Sequence, residues 1–136
     1  MIHQRIESER QLTINTCSGT ILKQEVINAI KKHYASEPIP NHLWDITEAD
    51  LSQINTDDLQ DIVEFTKQYV PTRMYGRTAL VSSSSVGFGL ARMYKAFSEN
   101  AGLKIEINVF RSHEEAKEWM FAVSGEEVPY QSYHIA

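Results

Sequence analysis

The sequence predicts a single α/β domain on a mixed sheet. An antiparallel N-terminal hairpin leads into βα units, giving the order β-β-α-β-α-β-α-β-α. Three observations carry this expectation. Two alternating segments, 2–7 and 11–17, open the chain around a polar connection at Glu7-Ser8-Glu9-Arg10. Thr78-Ala79-Leu80-Val81 is a short continuous apolar run, as in a parallel strand covered on both faces. A serine loop, a helical period and a second strand, Leu103 to Phe110, follow it, so one βαβ unit is displayed openly.

Each element has its own signal. In the first pair, Ile2, Gln4 and Ile6 share one face, and Leu12, Ile14 and Thr16 share one face of the next strand. Ser18-Gly19-Thr20 is expected to break that strand, with Thr20 as a candidate helix cap. Leu22, Val26, Ala29, Ile30 and His33 then recur at helical spacing, and Glu37-Pro38-Ile39-Pro40 ends the element. His42 to Ile46 reads as a short strand, and Thr47 to Asn55 as a turn-rich acidic connection. Thr56, followed by Asp57 and Asp58, looks like a hydroxyl cap with carboxylates favoured by the helix dipole. Leu59, Ile62, Val63, Thr66, Tyr69 and Val70 form that helix's buried stripe, and Pro71 stops it.

Thr78 to Val81 is expected as the central strand, and Val86, Leu90, Met93, Tyr94 and Phe97 as the inner stripe of the helix after it. Ala101-Gly102 closes that helix. Ser112 or His113 opens the last one, with Ala116, Trp119, Met120 and Val123 inward. Trp44, Leu80, Tyr94, Ile107 and Trp119 should be largely buried. From Ser124 the period is lost, which divides the chain into a domain at 1–123 and a tail at 124–136 that frays or clasps a neighbouring surface.

Composition narrows the function. A hydrophobic content of 42% over 136 residues suits one domain with a real core. The net charge of -5 argues against a nucleic-acid partner. Cys17 is the one cysteine, so no internal disulfide or cysteine cage is available. No segment reads as a signal peptide or a membrane span, and a cytoplasmic protein is the expectation.

Candidate chemistry is sparse. Ser83, Ser84, Ser85, Gly87 and Phe88 lie in the serine loop at a helix start, where N–H groups and hydroxyls could hold an anion. The same serines could simply form a polar turn that caps the helix. Neither the P-loop ending nor a Gly-x-Ser-x-Gly elbow is present. Arg77 stands five strand residues away, about 16 Å, so an anion there would rely on backbone and hydroxyls. Phe88, between two glycines, could guard an apolar pocket near that loop. The five histidines form no i, i+3 or i, i+4 pair, Cys17 reads as a buried small hydrophobe, and no cofactor or metal is indicated.

Charge is segregated more sharply. Residues 45–64 hold seven carboxylates and no Lys or Arg; residues 67–104 hold six basic residues against Glu99 alone. Ordinary solvated helix faces would account for this. So would complementary surfaces for a protein partner or a second copy of the chain, with Asp50, Ser52, Thr56, Asp57, Asp58 and Asp61 as the contact residues.

This element order, with Trp44-Asp45-Ile46 and its acidic exit, Arg77 to Val81, and Val109-Phe110 ahead of Glu114 to Trp119, resembles the SpoIIAA-like branch of the STAS superfamily, also described as STAS/SEC14-like. The resemblance spans roughly residues 1–123. It implies a non-enzymatic domain used for protein contacts or small-molecule sensing. It also implies, in the anti-sigma antagonists, a phosphorylated serine at the start of the helix after the third strand. The matching region here offers Thr47, Ser52 and Thr56 without an Asp-Ser-Ser-Gly-like signature. Phosphate at Thr56 would also stand beside Asp57 and Asp58, which argues against that switch. The leading expectation is thus a non-catalytic module binding a protein of unknown identity; the alternative is sensing of an anionic or lipid-like ligand near Ser82 to Gly89.

Overall fold

A computed structural model describes residues 1–35, 39–69 and 76–122. The strands are β1 (Ile2–Glu7), β2 (Leu12–Thr20), β3 (Asn41–Asp50), β4 (Arg77–Val81) and β5 (Glu106–Phe110). The helices are α1 (Lys23–Ala35), α2 (Thr56–Lys67), α3 (Ser85–Asn100) and α4 (His113–Met120), and a 3-10 turn at Ser8–Arg10 joins β1 to β2. The five strands form one sheet in the order β1-β2-β3-β4-β5. β1 runs antiparallel to β2, and every other neighbouring pair is parallel. The expected mixed sheet and element order are both present.

Strand alternation sorts the side chains into two cores. Cys17, Trp44, Leu80 and Ile107 join Ala29 and Ile30 of α1, Ile62 of α2 and Ala91 of α3 on one face. Leu12, Ile14, Leu43, Ala79, Val81 and Phe110 meet Ala116 and Met120 of α4 on the other. Three helices thus cover one face and α4 the opposite one, so the chain changes face after β5.

A polar chain, half-buried at Gln4 and buried beyond it, pins the hairpin to this core. Gln4 Nε2 donates to Asn15 Oδ1 at 2.9 Å and to the Ala29 carbonyl at 3.1 Å. That leaves the Asn15 amide to donate to His42 Nε2 at 2.5 Å. His42 in turn stacks on His33 with centroids 4.0 Å apart.

Several expectations are corrected. Ser18 to Thr20 do not break β2; they continue pairing, with Thr20 opposite Asp50, after a register shift between Thr16 and Ser18. The helix therefore starts later. Leu22 is 51% exposed ahead of it and Ile21 takes the inward place. β3 reaches Asp50, so much of the acidic connection is strand, and the middle of the sheet is β3, with β4 beside it. In α3 the inward residues are Gly87, Ala91 and Ser98, while Val86 is 75% exposed. Small residues, rather than the larger apolar ones, let that helix lie close to the sheet.

Trp44, Leu80 and Ile107 are buried, whereas Tyr94 and Trp119 are half-buried. Trp119 packs on Phe110, with the Arg77 guanidinium 5.3 Å from its ring centroid. Gly102, at φ 74°, closes α3 as expected. Val70, Pro71, Val123 and the tail lie outside the described residues.

Candidate functional site

β4 and β5 end side by side against the middle of β3, and the residues there form one polar cluster. β4 gives way to Ser82, which is fully buried and donates its N–H to the Phe110 carbonyl at 3.0 Å. Ser82 Oγ accepts from Ser84 N at 3.2 Å and lies 3.2 Å from Ser84 Oγ. Ser84 is the cap of α3, its Oγ accepting from Gly87 N at 3.0 Å. Two of the loop's hydroxyls are thereby engaged within the turn, and Ser83 and Ser85 remain exposed.

Asp45 and Thr47 of β3 buttress the loop. Thr47 Oγ1 accepts from Ser83 N at 3.2 Å, and Asp45 Oδ1 accepts from Thr47 N at 3.0 Å. The other carboxylate oxygen meets His113 Nε2 at 2.7 Å. An ionised carboxylate only accepts, so that nitrogen carries the proton. Burial pushes the Asp45 carboxyl up, but the Thr47 backbone N–H, His113 and the Thr47 hydroxyl together hold it below its ordinary value.

Arg111, at the exit of β5, is the residue that sequence reading missed. Its guanidinium is 3.5 and 3.4 Å from the Ser83 and Ser84 carbonyls and 3.8 Å from the Phe88 ring centroid. A cation therefore does stand at the serine loop, contrary to the expectation of backbone and hydroxyls alone. Parallel pairing of Val81 with Phe110 brings it there, a long-range register that local pattern does not reveal. Arg77 is engaged elsewhere, with Glu106 at 2.8 Å and with the Trp119 carbonyl. Phe88 lies under Arg111. The interior cavity of the domain is lined by other residues.

The acidic candidates gather at the end of β3 and the start of α2. Asp50 accepts from Ser52 N at 3.0 Å and from the Thr20 hydroxyl at 3.4 Å, and the Ser52 and Thr20 contacts hold its carboxyl below the ordinary value. The cap of α2 is Asn55, one residue earlier than expected. Asn55 Oδ1 accepts from Asp58 N at 2.8 Å, and Asp58 Oδ2 accepts from Asn55 N at 3.0 Å. Thr56 is thus the first helical residue and is exposed.

Lys23 of α1 reaches across to Asp61 at 2.9 Å and Asp58 at 3.8 Å. Part of the acidic surface is therefore neutralised within the chain. Asp57 and Glu64 stay exposed, Glu64 beside Lys67 at 3.7 Å, and with Asp61 they fall at i, i+7 and i+4 on one face of α2.

Cys17 is 2% exposed, and burial, with the Asp45 carboxylate adding to it, pushes its thiol up to about 12. It is a neutral core residue, as expected. Among the described residues no helix is long and apolar enough to cross a membrane, and no three His, Cys, Asp or Glu side chains gather in a metal-binding group.

The chain thus pairs a sheet led by one antiparallel strand with three helices on one face and a fourth on the other. A solved structure of SpoIIAA, an anti-sigma factor antagonist in its unphosphorylated form, matches with a TM-score of 0.56 at 13% identity, covering 90% of this chain and 100% of that one. The likeness shows the fold, in agreement with the resemblance read from the sequence. No protein-family model matches the sequence, and no curated protein matches it significantly.

Proposed function

We propose that this chain is a non-catalytic regulatory module that binds a protein partner through the acidic outer face of α2. One observation carries the reading: Asp57, Asp61 and Glu64 present a carboxylate stripe on a helix whose opposite side is anchored in the core by Leu59, Ile62 and Val63. Such a face is charged and solvent-exposed, and its carboxylates take no part in the core. The SpoIIAA fold supports it, since that protein is an antagonist of an anti-sigma factor. The partner would carry a basic surface.

Affinity capture with the parent and with an Asp57→Lys/Glu64→Lys double variant tests the reading. Both positions avoid the Asn55–Asp58 cap and the Lys23 pairs, and Glu64→Lys gives up one exposed pair, with Lys67 at 3.7 Å. A partner held by the parent should be lost on reversal, while thermal stability falls by no more than about 1 kcal/mol of dipole support. A partner retained by the variant would rule this face out.

A second reading, sensing of an anionic ligand at Ser83 to Phe88, is favoured by Arg111 beside the start of α3. Inorganic phosphate or a short fatty acid should then raise the melting temperature, and Arg111→Ala should remove the rise. No rise with either anion would leave the loop as a helix cap.

A further inference from the structure

The face of the sheet under α1, α2 and α3 does not close completely. A cavity of about 110 Å³ remains between Trp44, Leu80 and Ile107 on the sheet and Ile30, Ile62 and Ala91 on the helices. Well-packed cores leave few voids larger than a water molecule. The lining runs from buried Ile21 out to half-buried Leu51 and Leu90, so the space reaches toward the surface.

Its walls define what it can hold. Among the described residues, no Asp, Glu, Lys or Arg lines it. Thr66 on the α2 side donates its hydroxyl to the Ile62 carbonyl at 2.8 Å, so that group is already satisfied. A water needs two to four polar partners to settle in such a space; Tyr34, His42, Thr66, Thr78 and Tyr94 stand among walls otherwise mainly of Ile and Leu, so the surface facing the space is mostly apolar. An ionised head group would lose its hydration there with no opposite charge to meet it.

We propose that this cavity is a binding site for a small neutral apolar molecule, between a single aromatic ring and a short aliphatic chain in size. Its volume is of the same order as the apolar cavity of about 150 Å³ that takes up benzene in an unrelated protein. Burial and shape would supply the affinity. The site is distinct from the serine loop and does not depend on partner binding at α2.

Thermal shift and amide NMR titrations with benzene, indole and cyclohexane, alongside octanoate and inorganic phosphate, test it on the full chain. At least one neutral probe should raise the melting temperature in a dose-dependent way and shift resonances at Ile62, Ala91 and Ile107; phosphate should do neither. Ala91→Leu and Ile62→Phe fill the space and should weaken that probe at least tenfold. If neither variant folds, shifts confined to the cavity lining in the parent still support the site. Binding by no neutral probe, shifts centred elsewhere, unchanged affinity in folded variants, or octanoate binding as tightly as the neutral probes would overturn it.

Discussion

Two glycines near the start of α3 should respond to the same substitution with opposite sign. In a helix, Ala is favoured over Gly by about 0.8–1.0 kcal/mol. At Gly89 a new Cβ meets nothing within 4 Å. Gly89→Ala should therefore stabilise the protein by roughly 0.5–1 kcal/mol. At Gly87 the added Cβ would stand 2.3 Å from Ser82 Oγ, 2.9 Å from Ser84 Oγ and 3.1 Å from Ser82 Cβ. Ser82 is fully buried and its hydroxyl holds both Ser84 N and Ser84 Oγ, so it cannot rotate away without breaking the turn. Each lost hydrogen bond costs about 1 kcal/mol, and overpacking adds about 1–3 kcal/mol. Against the propensity gain, Gly87→Ala should destabilise by a net ~1–3 kcal/mol. Urea denaturation of the two variants beside the parent, with unchanged slopes, measures both numbers. In a Ser82→Ala background the Gly87→Ala cost should shrink, because the closest clash is gone while the Cβ contact remains. Equal or greater stability for Gly87→Ala than for the parent would refute the close packing of α3 on the serine loop.

Asn55→Ala should cost about 1 kcal/mol and Thr56→Ala close to nothing, because Asn55 forms the reciprocal cap with Asp58; equal urea midpoints for the two variants would contradict that assignment. Asp45 has its carboxyl held below the ordinary value in the folded state, so its contribution is present above the unfolded value, about 3.9, and is lost as pH falls through the folded one. The stability gap between the parent and Asp45→Asn should accordingly be full near neutrality and close below about pH 4; a gap that ignores pH would exclude that linkage. Asn15→Ala should cost about 1–3 kcal/mol by leaving Gln4 and His42 without their shared buried partner, and a cost below measurement would mean that water replaces it.

Much of the fold was legible from local pattern. Alternation in 2–7 and 11–17, and the apolar run at 78–81, marked strands that the sheet contains. The errors have physical causes. Hydrophobic period placed Val86 inward in α3, but the helix approaches the sheet through Gly87, Ala91 and Ser98, whose small size carries no hydrophobic signal. Ser18-Gly19-Thr20 looked like a breaker, yet β3 supplies ladder partners for it at Glu48, Ala49 and Asp50. The site was half legible. The serine cap and the acidic helix start follow from sequence neighbours. Arg111 against Phe88, His113 against Asp45, and Lys23 against Asp61 join elements far apart in the chain. No local period encodes such pairs.

The most direct measurement on partner binding is the affinity of a captured partner for the purified chain as salt rises. Exposed charges are screened within about 10 Å at 0.1 M salt and about 3 Å at 1 M. If the α2 face makes the contact, affinity should fall at least tenfold over that range for the parent. The Asp57→Lys/Glu64→Lys variant should bind weakly throughout, with little dependence on salt. Equal affinity for both proteins at every salt concentration would contradict the assignment of α2 as the regulatory surface.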